Sequence, residues 1–431
     1  MTIAVYSSQA TPHRISSTQS LLYRVSHRLI RSAWRARKGI VVRILFTFVG
    51  GRGHFDPLVP IARAAKAAGH TVAFTGGPSM VPTVQAAGFT CFATVPGVAG
   101  APKRLRLLEL DAEREERDLR ERFARRAARD RAAGLLGLCA EWQPDLIVCD
   151  EIDFGSVIVA ERLDLAYATV LVIAAGSFVR NEVVAEPLNE LRAEHSLPPD
   201  PDLAMLSRYL VLSPFPPSYR DPAFPLPATA HTFRPFTLDP AGDDTAPPWF
   251  VGRHGAPTVY FTLGTVFNLE SGDLFSRVLA GLRDLPIHLV VTVGRHIDPA
   301  EFGPQPANVH IERYIAQTLV LPHCSLVVSH GGSGSVIGAL AHGLPSVLIP
   351  MGADQPMNAA RCKELGVGRV LDAIGATPET VRDAVSAVLA DPRYRRAAER
   401  MRDEIAALPG PAHAIMLLER LAAEKQPVFS A

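Results

Sequence analysis

Apolar and polar positions along this chain fall into a repeating strand–helix rhythm. Val42–Phe48 is a short, β-branched and apolar run, the pattern of a parallel strand buried on both faces. A glycine-rich turn follows (Gly50, Gly51, Gly53), then Asp56 as a helix N-cap and Pro57 at the first helical position. Leu58, Ile61, Ala62 and Ala65 form the inner face of that helix, Gly69 ends it, and Val72–Thr75 is the next strand. Strand, helix and strand in this order predict a parallel α/β sheet.

The rhythm resumes with Leu146–Asp150 as a strand, Phe154–Leu163 as a helix and Tyr167–Ile173 as a strand. Before it, residues 102–133 carry a dense run of charges with Leu107, Leu108, Leu110 and Leu119 among them, which predicts long, exposed helices. Eleven prolines between Ser213 and Pro257 read as an irregular domain connection. Beyond it come further strands at Thr258–Thr262, Ile287–Thr292, Val309–Glu312, Leu326–Ser329 and Ser346–Ile349. The expected fold is α/β: two Rossmann-like domains whose parallel sheets face a central cleft, with ligands beyond the carboxyl ends of the strands. The expected boundaries are a basic extension over 1–41, an N-terminal domain over 42–212 and a linker over 213–256. A C-terminal domain over 257–410 and a terminal helix and tail over 411–431 complete the chain.

Composition narrows the function. At 431 residues with 48% hydrophobic and 20% charged residues, the chain can build more than one proper core. No run of about 18 apolar residues marks a transmembrane helix. Five scattered cysteines without CxxC pairing fit neither a disulfide framework nor a zinc site, and suit a reducing cytoplasm. The net charge of +1 hides an asymmetry: residues 1–40 carry +7 and no acid, so the remainder carries −6. An acidic body argues against nucleic acid as the main ligand. The basic segment, with Leu21, Leu22, Val25, Leu29, Ala33 and Trp34 at roughly helical spacing, is compatible with a mobile extension, a membrane-surface helix or a transit peptide. An upstream start codon is a further reading, with Val42 opening the first core strand.

The chemistry concentrates in the C-terminal half. Ser329-His-Gly-Gly-Ser-Gly-Ser335 is a glycine-rich turn between a buried strand and a helix. Its backbone N–H groups and the helix N-terminus make an anion site suited to a diphosphate, to which His330, Ser333 and Ser335 add donors. Asp354-Gln355, at a later strand end, offers short polar side chains to sugar hydroxyls. Asp354 could equally cap the helix begun by Pro356, and His323 and His342 read as structural. Gly50-Gly-Arg-Gly-His54 is superficially a dinucleotide loop, but Asp56 stands where the third glycine belongs, which disfavours an NAD(P)-dependent oxidoreductase.

Taken in order, His330-Gly-Gly, Gly343-Leu-Pro345 and Asp354-Gln355 resemble the nucleotide-sugar signature of the family 1 glycosyltransferases with the GT-B fold, in their bacterial natural-product branch. The resemblance covers nearly all of residues 42–424. It implies that Tyr314 stacks on the nucleobase in place of the family's frequent Trp, and that Gln317 and the backbone at Ile315 face the base. His330, Gly332, Gly334 and Ser335 would hold the diphosphate with Thr265, and Asp354 and Gln355 the transferred sugar. UDP-using relatives usually carry a Glu three residues after the position of Ser335; here it is Gly338. Without that carboxylate, affinity for a ribose falls while a 2′-deoxyribose loses little, so the expected donor is a dTDP-sugar rather than a UDP-sugar.

The same resemblance makes His54 the general base and Asp150 its companion, with Glu151 and Asp153 as competitors. An imidazole with pKa near ~6.5 can take the proton of an acceptor hydroxyl at neutral pH, and a carboxylate offsets the charge it gains. The implied reaction is metal-independent displacement with inversion; Asp200-Pro201-Asp202 and Asp243-Asp244 read as surface turns. The N-terminal domain would bind a hydrophobic small-molecule acceptor, with Phe55 and Phe178 among its lining residues. No cofactor is expected beyond the nucleotide sugar as co-substrate, and a homodimer is compatible with this reading. An NDP-sugar 2-epimerase, or a catalytically silent auxiliary protein of the same fold, remains an alternative.

Overall fold

The computed structural model describes residues 41–95, 103–235, 250 and 255–430. The basic segment 1–40 and Asp243-Asp244 lie outside the described residues, as does most of the second half of the proline-rich stretch. Among the described residues, thirteen strands fall into two all-parallel sheets. The first contains β1 Arg43–Thr47, β2 Thr71–Gly76, β3 Thr90–Ala93, β4 Leu146–Asp150, β5 Ala166–Val170, β6 Leu210–Ser213 and β7 Ala230–Thr232. Its order is β3-β2-β1-β4-β5-β6-β7. The second contains β8 Thr258–Thr262, β9 His288–Thr292, β10 Val309–Glu312, β11 Leu326–Ser329, β12 Ser346–Leu348 and β13 Gly368–Val370, in the order β10-β9-β8-β11-β12-β13.

Both sheets reverse direction at one place, between β1 and β4 in the first and between β8 and β11 in the second. At such a point the chain leaves adjacent strands toward opposite sides, and the gap beyond their carboxyl ends is open to a ligand. Ile44, Phe46, Val148 and Ala168 face one apolar cluster, while Leu45, Ile147 and Cys149 face another, so the central strands are buried on both sides as their apolar runs require. A third cluster draws on both halves, packing Leu171, Ala174 and Tyr219 against Val336, Leu340 and Cys362. The helix Pro411–Glu424 returns to the first sheet, burying Ala414, Leu418 and Leu421 beside Phe46 and Ile61.

Several local expectations need correction. Asp56 does not open a helix: a single turn runs over Arg52–Phe55, Asp56 follows it, and the next helix begins at Val59. The Asp56 carboxylate instead pairs with Arg52 at 3.1 Å. The charged run has no regular structure over 103–111 and is then helical from Ala112 to Trp142, with a π-helical stretch over Asp118–Ala127. It is not simply exposed, because Leu119, Ala124, Ala128, Ala132 and Leu135 form a buried stripe. The proline-rich stretch also contributes structure: β7 pairs in parallel with β6. A strand at the sheet edge tolerates neighbouring prolines because only one side needs ladder hydrogen bonds. No helix among the described residues is long and apolar enough to cross a membrane.

Candidate active site

His54 and Asp150 meet at the reversal point of the first sheet. Asp150 ends β4, and its carboxylate accepts hydrogen bonds from the backbone N–H groups of Val49 (2.7 Å) and Ile152 (2.8 Å). It is therefore locked in place, with 1% of its surface exposed. The imidazole Nδ1 of His54 lies 3.6 Å from Asp150 Oδ1, leaving Nε2 for a substrate. Gly50 makes this approach possible: its φ is +82°, and a Cβ there would stand 3.3 Å from His54 Cδ2.

The two competing acids are committed elsewhere. Glu151 accepts from the N–H groups of Val172 (2.8 Å) and Ile173 (3.4 Å), and burial pushes its carboxyl up to about 7 despite Arg220 nearby. Asp153 pairs with the buried guanidinium of Arg131 at 3.2 Å. For His54, burial disfavours the cation, but Asp150 first, then Asp354 and Glu151, outweigh it and raise the pKa above 6.5.

The second sheet's reversal point carries the glycine-rich turn. β11 ends at Ser329, and the helix Ser333–Ala341 starts four residues later with Gly332 as N-cap. His330 is buried, and burial holds its pKa down to about 4, so the ring is neutral at pH 7 and can donate one N–H to an anion. It is gripped between two glycines: a Cβ would come within 2.7 Å of the ring at Gly264 and 2.6 Å at Gly332. Gly264 belongs to the loop after β8, where Thr265 is exposed, so the Thr265 loop and the His330 loop face each other. Gly334 is exposed and Ser335 half-buried in the first turn of the helix.

Ser333 is differently disposed from the expectation. Its hydroxyl donates to Asp354 Oδ2 (2.7 Å) and accepts from the N–H of Ala174 (2.8 Å), so its hydrogen is not free for a diphosphate. Asp354 also accepts from Asn358 Nδ2 (2.7 Å). Gln355 is almost fully buried, and its Oε1 accepts from the N–H of Met351 (2.8 Å), which shapes the loop that presents Asp354. Tyr314 is 37% exposed, with the Arg295 guanidinium 4.1 Å and that of Arg52 5.9 Å from its ring centroid. The Tyr314 ring is thus already shared with Arg295. Ile315 is buried, and Gln317 opens the helix Gln317–Val320. Its Oε1 lies 3.3 Å from where a Cβ of Gly338 would stand.

Of the two acceptor candidates, Phe55 is corrected: it is 1% exposed and packs at 5.4 Å from Phe48 and 5.3 Å from Phe74. The apolar surface of a one-turn helix had to cover the sheet, and Phe55 is its covering residue. Phe178 is half-buried in the loop between β5 and the helix Asn181–Glu194. Sequence reasoning assigned no part to Asn358 or Glu115. Asn358 stands four residues after Asp354 on one helix, a spacing that brings side chains together. Glu115 accepts from the N–H of Ala353 (2.9 Å), and nothing in its local sequence signals that contact.

The chain is similar to known proteins over most of its length. Residues 276–421 match the family described as "Erythromycin biosynthesis protein CIII-like, C-terminal domain". Among curated relatives, 4'-demethylrebeccamycin synthase of Lentzea aerocolonigenes is 29% identical, covering 88% of this chain and 99% of that protein. TDP-daunosamine transferase DnrS of Streptomyces peucetius is 28% identical, covering 89% and 97% respectively. The crystal structure of the glycosyltransferase SnogD from Streptomyces nogalater superposes with a TM-score of 0.72 at 27% identity, covering 89% of this chain and all of that one. The chain is a glycosyltransferase with the GT-B fold. Over most of its length it is similar to enzymes of bacterial natural-product glycosylation, and residues 276–421 match the erythromycin CIII-like type.

Proposed function

We propose that this glycosyltransferase moves a sugar from a dTDP-sugar to a hydroxyl of a hydrophobic natural product, with inversion and without a metal ion. The observation that carries the reading is the pairing of His54 with the locked carboxylate of Asp150. With Nδ1 turned to Asp150, His54 Nε2 accepts the acceptor's hydroxyl proton while the oxygen forms its bond to the anomeric carbon. The bond from that carbon to the diphosphate breaks, and its electron pair leaves with the diphosphate. Attack opposite the leaving group inverts the centre. Asp150 balances the imidazolium, which is the part a carboxylate plays behind a histidine base.

The leaving diphosphate is met by the N-terminus of the helix Ser333–Ala341, by the N–H groups of Gly332 and Gly334, and by His330, with Thr265 opposite. These donors supply stabilisation that a metal supplies in other transferases. Tyr314, Ile315 and Gln317 take the base, and Asp354 the sugar. The absence of a carboxylate at Gly338 favours deoxyribose over ribose, in keeping with the TDP in the name of the daunosamine transferase relative. Phe178 contributes to the acceptor side, and a cytoplasmic site of action suits the five free cysteines.

Calorimetric titration of the chain with dTDP and UDP tests the donor. Tighter dTDP binding is expected; equal affinities would remove the argument from Gly338, and no binding of either would remove the whole donor site. Transfer in EDTA, with the product anomer read by NMR, tests the rest. A rate abolished by EDTA, or a retained anomeric configuration, would overturn the mechanism.

A further inference from the structure

The carboxylate expected to hold the sugar is not oriented by its own half of the molecule alone. Asp354 follows Ala353, a non-glycine residue at φ +51°, in a loop between β12 and the helix Gln355–Glu364. Left-handed backbone at such a residue persists only where neighbouring contacts enforce it. The N–H of Ala353 donates to Glu115 Oε2 at 2.9 Å, and Glu115 sits on the helix Ala112–Arg117, which belongs to the segment between β3 and β4 of the first sheet. The other Glu115 oxygen, Oε1, would lie 3.1 Å from a Cβ at Gly352.

A second set of bonds reaches the same carboxylate from the loop after β5. The N–H of Ala174 donates to Ser333 Oγ at 2.8 Å, and Ser333 passes its own hydrogen to Asp354 Oδ2. The N–H of Ala175 donates to Asn358 Oδ1 at 3.2 Å, and Asn358 Nδ2 donates to Asp354 Oδ2. Tyr219, also from the first half, donates its hydroxyl hydrogen to the carbonyl of Asn358 at 3.0 Å. Ala174, Ala175, Tyr219, Ser333 and Asn358 are buried, so the bonds that join them are not exchanged cheaply for water.

We infer that Glu115, Ser333 and Asn358 are positioning residues that aim Asp354 at the donor sugar only while the acceptor-side half is docked against the donor-side half. The inference rests on the assignment of Asp354 to the sugar. Its consequence is that the nucleotide is recognised by one half alone, whereas the sugar is recognised by both. A donor bound to a separated half would be held by base and diphosphate but not read at its sugar.

Glu115 offers the cleanest test because it is only half-buried and its loss leaves no core cavity. Affinities for dTDP and dTDP-glucose are measured by calorimetry for the full chain and for Glu115→Ala, Glu115→Gln and Ser333→Ala. Glu115→Ala and Ser333→Ala are expected to weaken dTDP-glucose about tenfold, as for loss of a hydrogen bond to a charged group, and dTDP by less than about twofold. Glu115→Gln keeps an acceptor oxygen for the Ala353 N–H and is expected to recover most of the loss. Equal weakening of both ligands, no weakening of dTDP-glucose, or a Glu115→Gln variant as poor as Glu115→Ala would overturn the inference. Failure of the unmodified chain to bind dTDP would instead overturn the donor assignment.

Discussion

His54 Nδ1 faces Asp150 Oδ1 at 3.6 Å: His54 lies on the one-turn helix after β1 and Asp150 ends β4, the adjacent strands at which the first sheet reverses. Both are thereby set at carboxyl strand ends, where a ligand can reach the free edge of the imidazole. Replacing His54 with Ala should lower transfer by about two to four orders of magnitude, the span attributed to a positioned general base. Binding of dTDP should stay within about twofold. Single-turnover rates beside calorimetry check it, and a variant at full speed would remove His54 from the chemistry.

The pairing also sets the pH dependence. Because Asp150 and the acids behind it raise the His54 pKa above 6.5, the base is lost as pH falls through that raised value, so the rate should rise with pH along a limb displaced upward from that of a free imidazole. In Asp150→Asn the largest opposing influence to burial is gone, so the limb should move to lower pH while the maximal rate falls. Protonated His54 is favoured by the fold, and its stabilising contribution is present below about pH 6.5 and fades as pH rises through the folded-state value. Acid loss of rate at unchanged melting temperature would therefore mark titration of His54 and not unfolding.

The grip on His330 can be tested by volume. Gly332 has φ −61°, so alanine is permitted by the backbone there, but its methyl would stand 2.6 Å from the imidazole. Gly332→Ala should displace the ring, costing about 1–3 kcal/mol of stability as overpacking does, and weaken dTDP about tenfold or more. Thermal unfolding and titration together read both effects.

Donor preference should be movable at Gly338. Gly338→Glu places a carboxylate beside Gln317, whose Oε1 must yield from 3.3 Å, and it should raise UDP affinity relative to dTDP. A ratio of the two dissociation constants unchanged from the parent chain would show that the ribose is read elsewhere.

The two phenylalanines should separate. Phe55→Ala removes a ring from the cluster with Phe48 and Phe74 and should cost about 3–5 kcal/mol of stability. Phe178→Ala, at a half-buried loop position, should instead raise the acceptor KM with little change in melting temperature.

Much of this site could be read from local pattern. The glycine-rich turn at His330, the Asp354-Gln355 pair and the His54 loop each sit in a strand–turn–helix unit whose periodicity, capping residues and glycines are properties of neighbouring residues. Local pattern misjudged Asp56, because both a capping aspartate and a turn aspartate precede proline well. It took Phe55 for a ligand contact, although which face of a one-turn helix meets the sheet depends on how the chain enters the next helix.

What the chain's linear order determined was therefore the elements, their parallel pairing and the residue types at each strand end. Only the tertiary structure decided which of Asp150, Glu151 and Asp153 faces His54, because the three are adjacent in sequence and diverge only as the backbone turns out of β4. It also decided that Ser333 serves Asp354, 21 residues on, and that Glu115 reaches Ala353 from the other half of the chain. Hydrogen bonds between distant segments have no periodicity to betray them; they follow from where packing brings the backbone, and that is settled by the whole core at once.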